Sequence, residues 1–92
     1  MTKYLILGGG GVFANQTSKF LLEQKETKKV IAVGRNPRLP ACYSLNVGKN
    51  NKKYEYYQIH MVFELDRLLN LIDATKPNYI INFAAIAYAT SW

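Results

Sequence analysis

The stretch from Tyr4 to Ala14 constrains the fold more than any other part of the chain. Tyr4-Leu5-Ile6-Leu7 is an apolar run with the length of a buried strand. Four consecutive glycines, Gly8 to Gly11, follow at once, and Val12-Phe13-Ala14 then opens a helical pattern. A turn this tight calls for residues that tolerate positive φ and carry no Cβ, so that backbone N–H groups at the start of the helix can face an anion. Strand, glycine turn and helix in that order make a phosphate-binding arrangement. The register Gly8-x-Gly10-x-x-Phe13 puts a bulky ring where a third small residue should pack against the strand, whereas Gly8-x-x-Gly11-x-x-Ala14 keeps all three positions small. The competing reading of such a run is a flexible turn.

A chain of 92 residues forms one domain at most, with a modest core. Its hydrophobic fraction of 49% and its many tyrosines favour a folded globular unit over a disordered one. No apolar run is long enough to span a membrane, and the N-terminus lacks the basic, apolar and small-residue pattern of a secretory signal. The expectation is a cytoplasmic protein with no membrane partner. Cys42 has no second cysteine for a disulfide or a metal site, and His60 has no companion histidine, so no metal is expected.

Beyond the glycines, Phe13, Thr17, Phe20, Leu21 and Gln24 recur at helical spacing, with Asn15, Ser18, Lys19 and Glu23 elsewhere on the wheel. The pattern predicts an amphipathic helix, with this row as its apolar side. Val30-Ile31-Ala32-Val33 is then a second strand, apolar on both sides as in a parallel sheet covered above and below. Strand, helix and strand within about thirty residues satisfy the dinucleotide-binding unit.

The end of the second strand is where such folds select their cofactor. An acidic residue there would favour the 2′-hydroxyl of NAD, and none is present. Gly34-Arg35-Asn36-Pro37-Arg38 places Arg35 and Arg38 near the position of a 2′-phosphate, for which guanidinium is well suited. NADP is therefore the expected cofactor, with NAD the alternative; the other reading of the two arginines is a solvated loop. Net charge is +6, and Lys25, Lys28, Lys29, Arg35, Arg38, Lys49, Lys52 and Lys53 crowd into one third of the chain. No helix-turn-helix, zinc finger or RNA-binding aromatic motif accompanies them, so the expected partner is a dinucleotide phosphate and not nucleic acid.

From Pro37 to Lys53 periodicity gives way to Pro40, Asn46, Gly48, Asn50 and Asn51, which predicts loop, with one short helical turn near Ala41 to Leu45. Tyr54 to Ile59 reads as a third strand with aromatic side chains on both faces. Glu64 to Thr75 is a second helix, with Leu65, Leu68, Leu69 and Ile72 at helical spacing, acids in the first turn and Pro77 past the end. Asn78 to Ala85 follows as a fourth strand.

With four strands placed, the chain resembles the N-terminal half of an extended short-chain dehydrogenase/reductase, the NAD-dependent epimerase/dehydratase family. The resemblance rests on Gly8 to Ala14, on the turn Gly34-Arg35, and on Lys76-Pro77-Asn78-Tyr79-Ile80-Ile81-Asn82-Phe83-Ala84-Ala85. Thr90-Ser91-Trp92 is similar to the segment that follows in sugar-nucleotide 4,6-dehydratases. The resemblance implies an α/β fold, a partial, doubly wound Rossmann sheet in the strand order 3-2-1-4, with residues 1–92 forming an NAD(P)-binding half-domain and the catalytic and substrate-binding region absent.

By the same resemblance Gly8, Gly11 and Val12 approach the pyrophosphate, and Ala14 allows close helix packing. Arg35 meets the 2′-phosphate, Ile59 borders the adenine, and Phe83, Ala84 and Ala85 line the ribose and nicotinamide side. Where the family carries Asp at the end of strand 3, this chain has Gln58 or His60, and Gln58 would hydrogen-bond the adenine. The family moves a hydride with a Tyr-x-x-x-Lys pair, and no tyrosine in this sequence has lysine four positions on. The chain is therefore expected to bind cofactor and to be inactive alone, a sugar nucleotide being a partner only of a complete protein. The almost wholly apolar fourth strand would form an exposed edge, so pairing of subunits through it is a further expectation. The alternatives are a non-enzymatic NAD(P)-binding or interaction module and a gene fragment without function.

Overall fold

The computed structural model describes residues 1–8, 11–35 and 52–83. Six elements appear in the order β1 (Thr2–Leu7), α1 (Val12–Leu22), β2 (Thr27–Gly34), β3 (Tyr54–Gln58), α2 (Leu65–Thr75) and β4 (Tyr79–Asn82). The strands form one four-stranded sheet in the order β3-β2-β1-β4, and every pairing is parallel. The fold is α/β and doubly wound, as the sequence predicts.

The chain steps from β1 to β2 in one direction across the sheet and returns from β3 to β4 in the other. Two connections of the same hand must then put their helices on opposite faces. That is the observed arrangement. Ala14 and Leu21 of α1 pack with Ile6 and Val30, whereas Leu68 of α2, supported by Leu71 and Ile72, packs with Leu5, Ile31, Val33 and Ile59. Leu5, Ile6 and Val30 to Val33 are fully buried, which explains why β1 and the second half of β2 lack polar alternation. The predicted loop and helical turn between 37 and 51 lie outside the described residues.

Two local expectations need correction. The second strand begins three residues earlier than its apolar run, at Thr27, because Lys29 finds the Glu55 carboxylate across on β3. The inner face of α1 is also only partly the predicted row, which contributes Leu21 but not its phenylalanines. Phe13 and Phe20 are 69% and 62% exposed, while Ala14, Asn15, Ser18 and Leu21 are buried. Small side chains at positions 14 and 18 let the helix lie close to the sheet, and the larger rings are left at its flank.

α2 ends in a left-handed Lys76 (φ 47°), whose N–H returns to the Ile72 carbonyl at 2.8 Å. The Lys3 ammonium reaches the Thr75 carbonyl at 3.0 Å, placing a cation at the negative end of the helix. Among the described residues no helix is long and apolar enough to cross a membrane.

Candidate functional site

In an open parallel sheet, ligands bind beyond the C-terminal ends of the strands, where the strand order reverses. Here that point lies between β1 and β4, with β2 on the other side of β1. The glycine turn stands directly on it. Gly8 leaves β1 with φ 77°, a left-handed conformation open to glycine, and its carbonyl accepts the Gly11 N–H at 3.3 Å to close the turn. Gly11 is the N-cap of α1, and its carbonyl accepts the Asn15 N–H at 3.0 Å.

The N–H groups of Val12, Phe13 and Ala14 find no partner within the helix, as at any helix start. Among the described residues no side chain caps this end and no acidic residue occupies the first turn, so none of them compensates its partial positive charge. Gly11 is in an ordinary extended conformation (φ −82°, ψ 170°), and among the described residues a Cβ added there would meet only the Gly8 carbonyl oxygen, at an unstrained 3.7 Å. Nothing among the described residues demands a glycine at 11. A close-lying ligand would demand one.

The neighbouring strand ends bring further predicted residues to this edge. Phe83 follows β4, and its N–H donates to the Leu7 carbonyl at 2.9 Å, which sets it beside the glycine turn. Its ring is half-buried, against the cluster formed by Ile6, Ala14, Leu21 and Val30. Arg35 lies just past β2, exposed, with no ion pair among the described residues. The Gln58 amide donates to the Arg35 carbonyl at 3.3 Å, tying the end of β3 to the turn after β2.

Ile59 reaches the same edge through its N–H, bonded to the Gly34 carbonyl at 2.9 Å, but its side chain is buried in the core facing α2. Only its backbone is left to border a ligand. Ala14 is buried at the first turn of α1, where a small residue brings helix and sheet together. Arg38, Ala84 and Ala85 lie outside the described residues, as does the side chain of Val12. No group of three or more His, Cys, Asp or Glu among the described residues is placed to hold a metal ion.

Asn15 is the residue beside this site that the sequence pattern misplaced. It is 3% exposed, and neither atom of its amide has a hydrogen-bond partner among the described residues, a condition that buried polar groups rarely tolerate. The signal was present in the glycine motif itself. If Ala14 packs on the sheet, positions 18 and 21 must follow it inward and Asn15 must lie alongside.

No protein-family model matches the chain, and no curated protein matches it in sequence.

Proposed function

We propose that this chain is an NAD(P)-binding half-domain of an oxidoreductase resembling the sugar-nucleotide dehydratases and epimerases, with NADP preferred over NAD. The observation that carries the reading is the glycine turn at the switch point, where, among the described residues, nothing caps the helix start and nothing forces a glycine at position 11, as a site for a pyrophosphate would require. Backbone N–H groups at the start of α1 would hold the phosphates, and the exposed Arg35 guanidinium would take the 2′-phosphate. Gln58, anchored to the Arg35 carbonyl, would keep the adenosine side of the edge in place. When bound, the cofactor supplies hydride transfer. This chain's own residues bind and orient it, because the Tyr-x-x-x-Lys pair that would move the proton is not in the sequence. A second reading, an interaction module completed by pairing at β4, is favoured by the exposure of Ile80 on that outer strand.

Calorimetric titration of the 92-residue chain with NADP and NAD tests the proposal. Arg35→Asp is expected to lower NADP affinity relative to NAD by about tenfold or more, the worth of one charge-assisted hydrogen bond. An unchanged ratio would remove Arg35 from the site, and failure of the unaltered chain to bind either dinucleotide would remove the site itself.

A further inference from the structure

The basic tract of the sequence divides in the fold. Arg35 goes to the C-terminal edge of the sheet, beside the glycine turn. Lys25, Lys28, Lys29, Lys52 and Lys53 go to the opposite edge, where Lys3 and Lys76 join them. Lys3 is the second residue of β1 and stands opposite Lys29 in the register. Lys53 immediately precedes β3, and its carbonyl accepts the Val30 N–H at 2.8 Å. The turn holding Lys25 is fastened to the same edge by the Thr2 N–H, donated to the Glu26 carbonyl at 2.7 Å.

Like charges on neighbouring strands, about 4.8 Å apart, destabilise a sheet unless something neutralises them. Glu55 neutralises Lys29, and the Thr75 carbonyl takes the Lys3 ammonium. Glu23 and Glu26 flank Lys25 in the chain. Lys28 and Lys52 are exposed and make no ion pair among the described residues. Lys28 stands where the register between β1 and β2 shifts, and Lys52 lies in the turn before β3; each is two residues before one member of the registered pair Val30–Tyr54, so both stand at the N-terminal end of the sheet. At the same end, the rings of Tyr4 and Tyr79, paired across β1 and β4, stack with centroids 5.7 Å apart and planes at 21°, and Tyr79 is 61% exposed.

We propose that this edge binds single-stranded nucleic acid, Lys28 and Lys52 meeting backbone phosphates and the open face of Tyr79 meeting a base. Cations that track a backbone beside an exposed ring are the two parts such a surface needs, and neither requires a sequence motif. A duplex would keep its bases from the ring, and an acidic peptide would use the lysines alone. The surface lies across the sheet from the dinucleotide site, so the two ligands bind independently.

The test is fluorescence anisotropy of a labelled RNA single strand of about twelve nucleotides, within the site sizes of such surfaces, titrated with the 92-residue chain at several salt concentrations. Two phosphate contacts predict a log–log salt slope of about −1.4, and the double variant K28E/K52E is expected to flatten it. Y79L is expected to weaken binding about fivefold or more at an unchanged slope, and Y79F to restore it. All four substitutions are at exposed positions, and an unchanged thermal transition establishes that each variant is folded. Absence of binding, binding that survives K28E/K52E, affinity indifferent to Y79L, tighter binding of a duplex, or displacement by NADP would each overturn the proposal.

Discussion

Gly8 and Gly11 stand three positions apart in one turn, yet the fold asks different things of them. Gly8 has φ 77°, where a side chain costs roughly 1–2 kcal/mol through its clash with the following carbonyl. Gly11 has an ordinary backbone and unstrained space for a Cβ. Gly8→Ala is therefore expected to lower stability by about 1–2 kcal/mol, the same conformational cost. Gly11→Ala should change stability by no more than about 1 kcal/mol, since the loss of a glycine N-cap opposes the restriction that alanine places on the unfolded chain. Its methyl would nonetheless stand where a pyrophosphate must approach, so dinucleotide affinity should fall by about tenfold or more. Urea denaturation of both variants, alongside titration with NADP, separates the two roles. A Gly11→Ala protein that binds NADP as tightly as its parent would show that the second glycine serves no ligand.

At the scale of elements, α1 divides what the sequence made legible from what it hid. The helix's existence, its start after the glycines and its place between two parallel strands all follow from local pattern. Its orientation does not, because hydrophobic periodicity favours large side chains, whereas close contact with a sheet selects small ones. Ala14 is expected to tolerate no enlargement: Ala14→Leu should lower stability by about 1–3 kcal/mol through overpacking against Ile6 and Val30. Phe20→Ser, on the exposed flank, should change stability by no more than about 0.5 kcal/mol despite the loss of a whole ring. Thermal unfolding of the pair checks the assignment; the opposite ranking would restore the face that periodicity suggested. The start of β2 was hidden for a different reason. Lys28 and Lys29 look like loop residues until Glu55, 26 positions beyond Lys29, is brought across from β3. Of the candidate site, the glycine turn, Arg35, Gln58 and Phe83 were legible as strand-end positions. The burial of the Ile59 side chain was not, because it depends on α2 folding back over that face of the sheet.

For the whole molecule, the range of pH over which the sheet holds is set by groups on its two faces. On the α2 face Glu55 accepts from the Lys29 ammonium and from the Tyr57 hydroxyl, at 2.7 Å for the latter. The hydrogen bond from Lys29 is the main reason its carboxyl lies below the usual range, and the bond from Tyr57 adds to it. A depressed carboxyl stabilises the fold above its unfolded pKa, near 4.3, and the contribution is lost as pH falls through the lower, folded value. Glu55→Gln should therefore weaken the protein at neutral pH and flatten part of its acid limb. On the α1 face, burial, reinforced by the nearby Tyr56, pushes Tyr54 up to about 12. The folded state thus holds the Tyr54 proton more tightly than the unfolded chain does. That advantage is complete below the unfolded pKa near 10 and disappears as pH rises toward the folded value. The Tyr54 hydroxyl is also enclosed without a hydrogen-bond partner among the described residues, so removing it relieves an unsatisfied group and leaves the ring packing intact. Tyr54→Phe is accordingly expected to be at least as stable as the parent at neutral pH and to keep its stability further into alkali. Urea midpoints measured at pH 7 and again above pH 10 decide the point, because a variant that loses stability in parallel with its parent above pH 10 would place the alkaline-sensitive proton on another tyrosine.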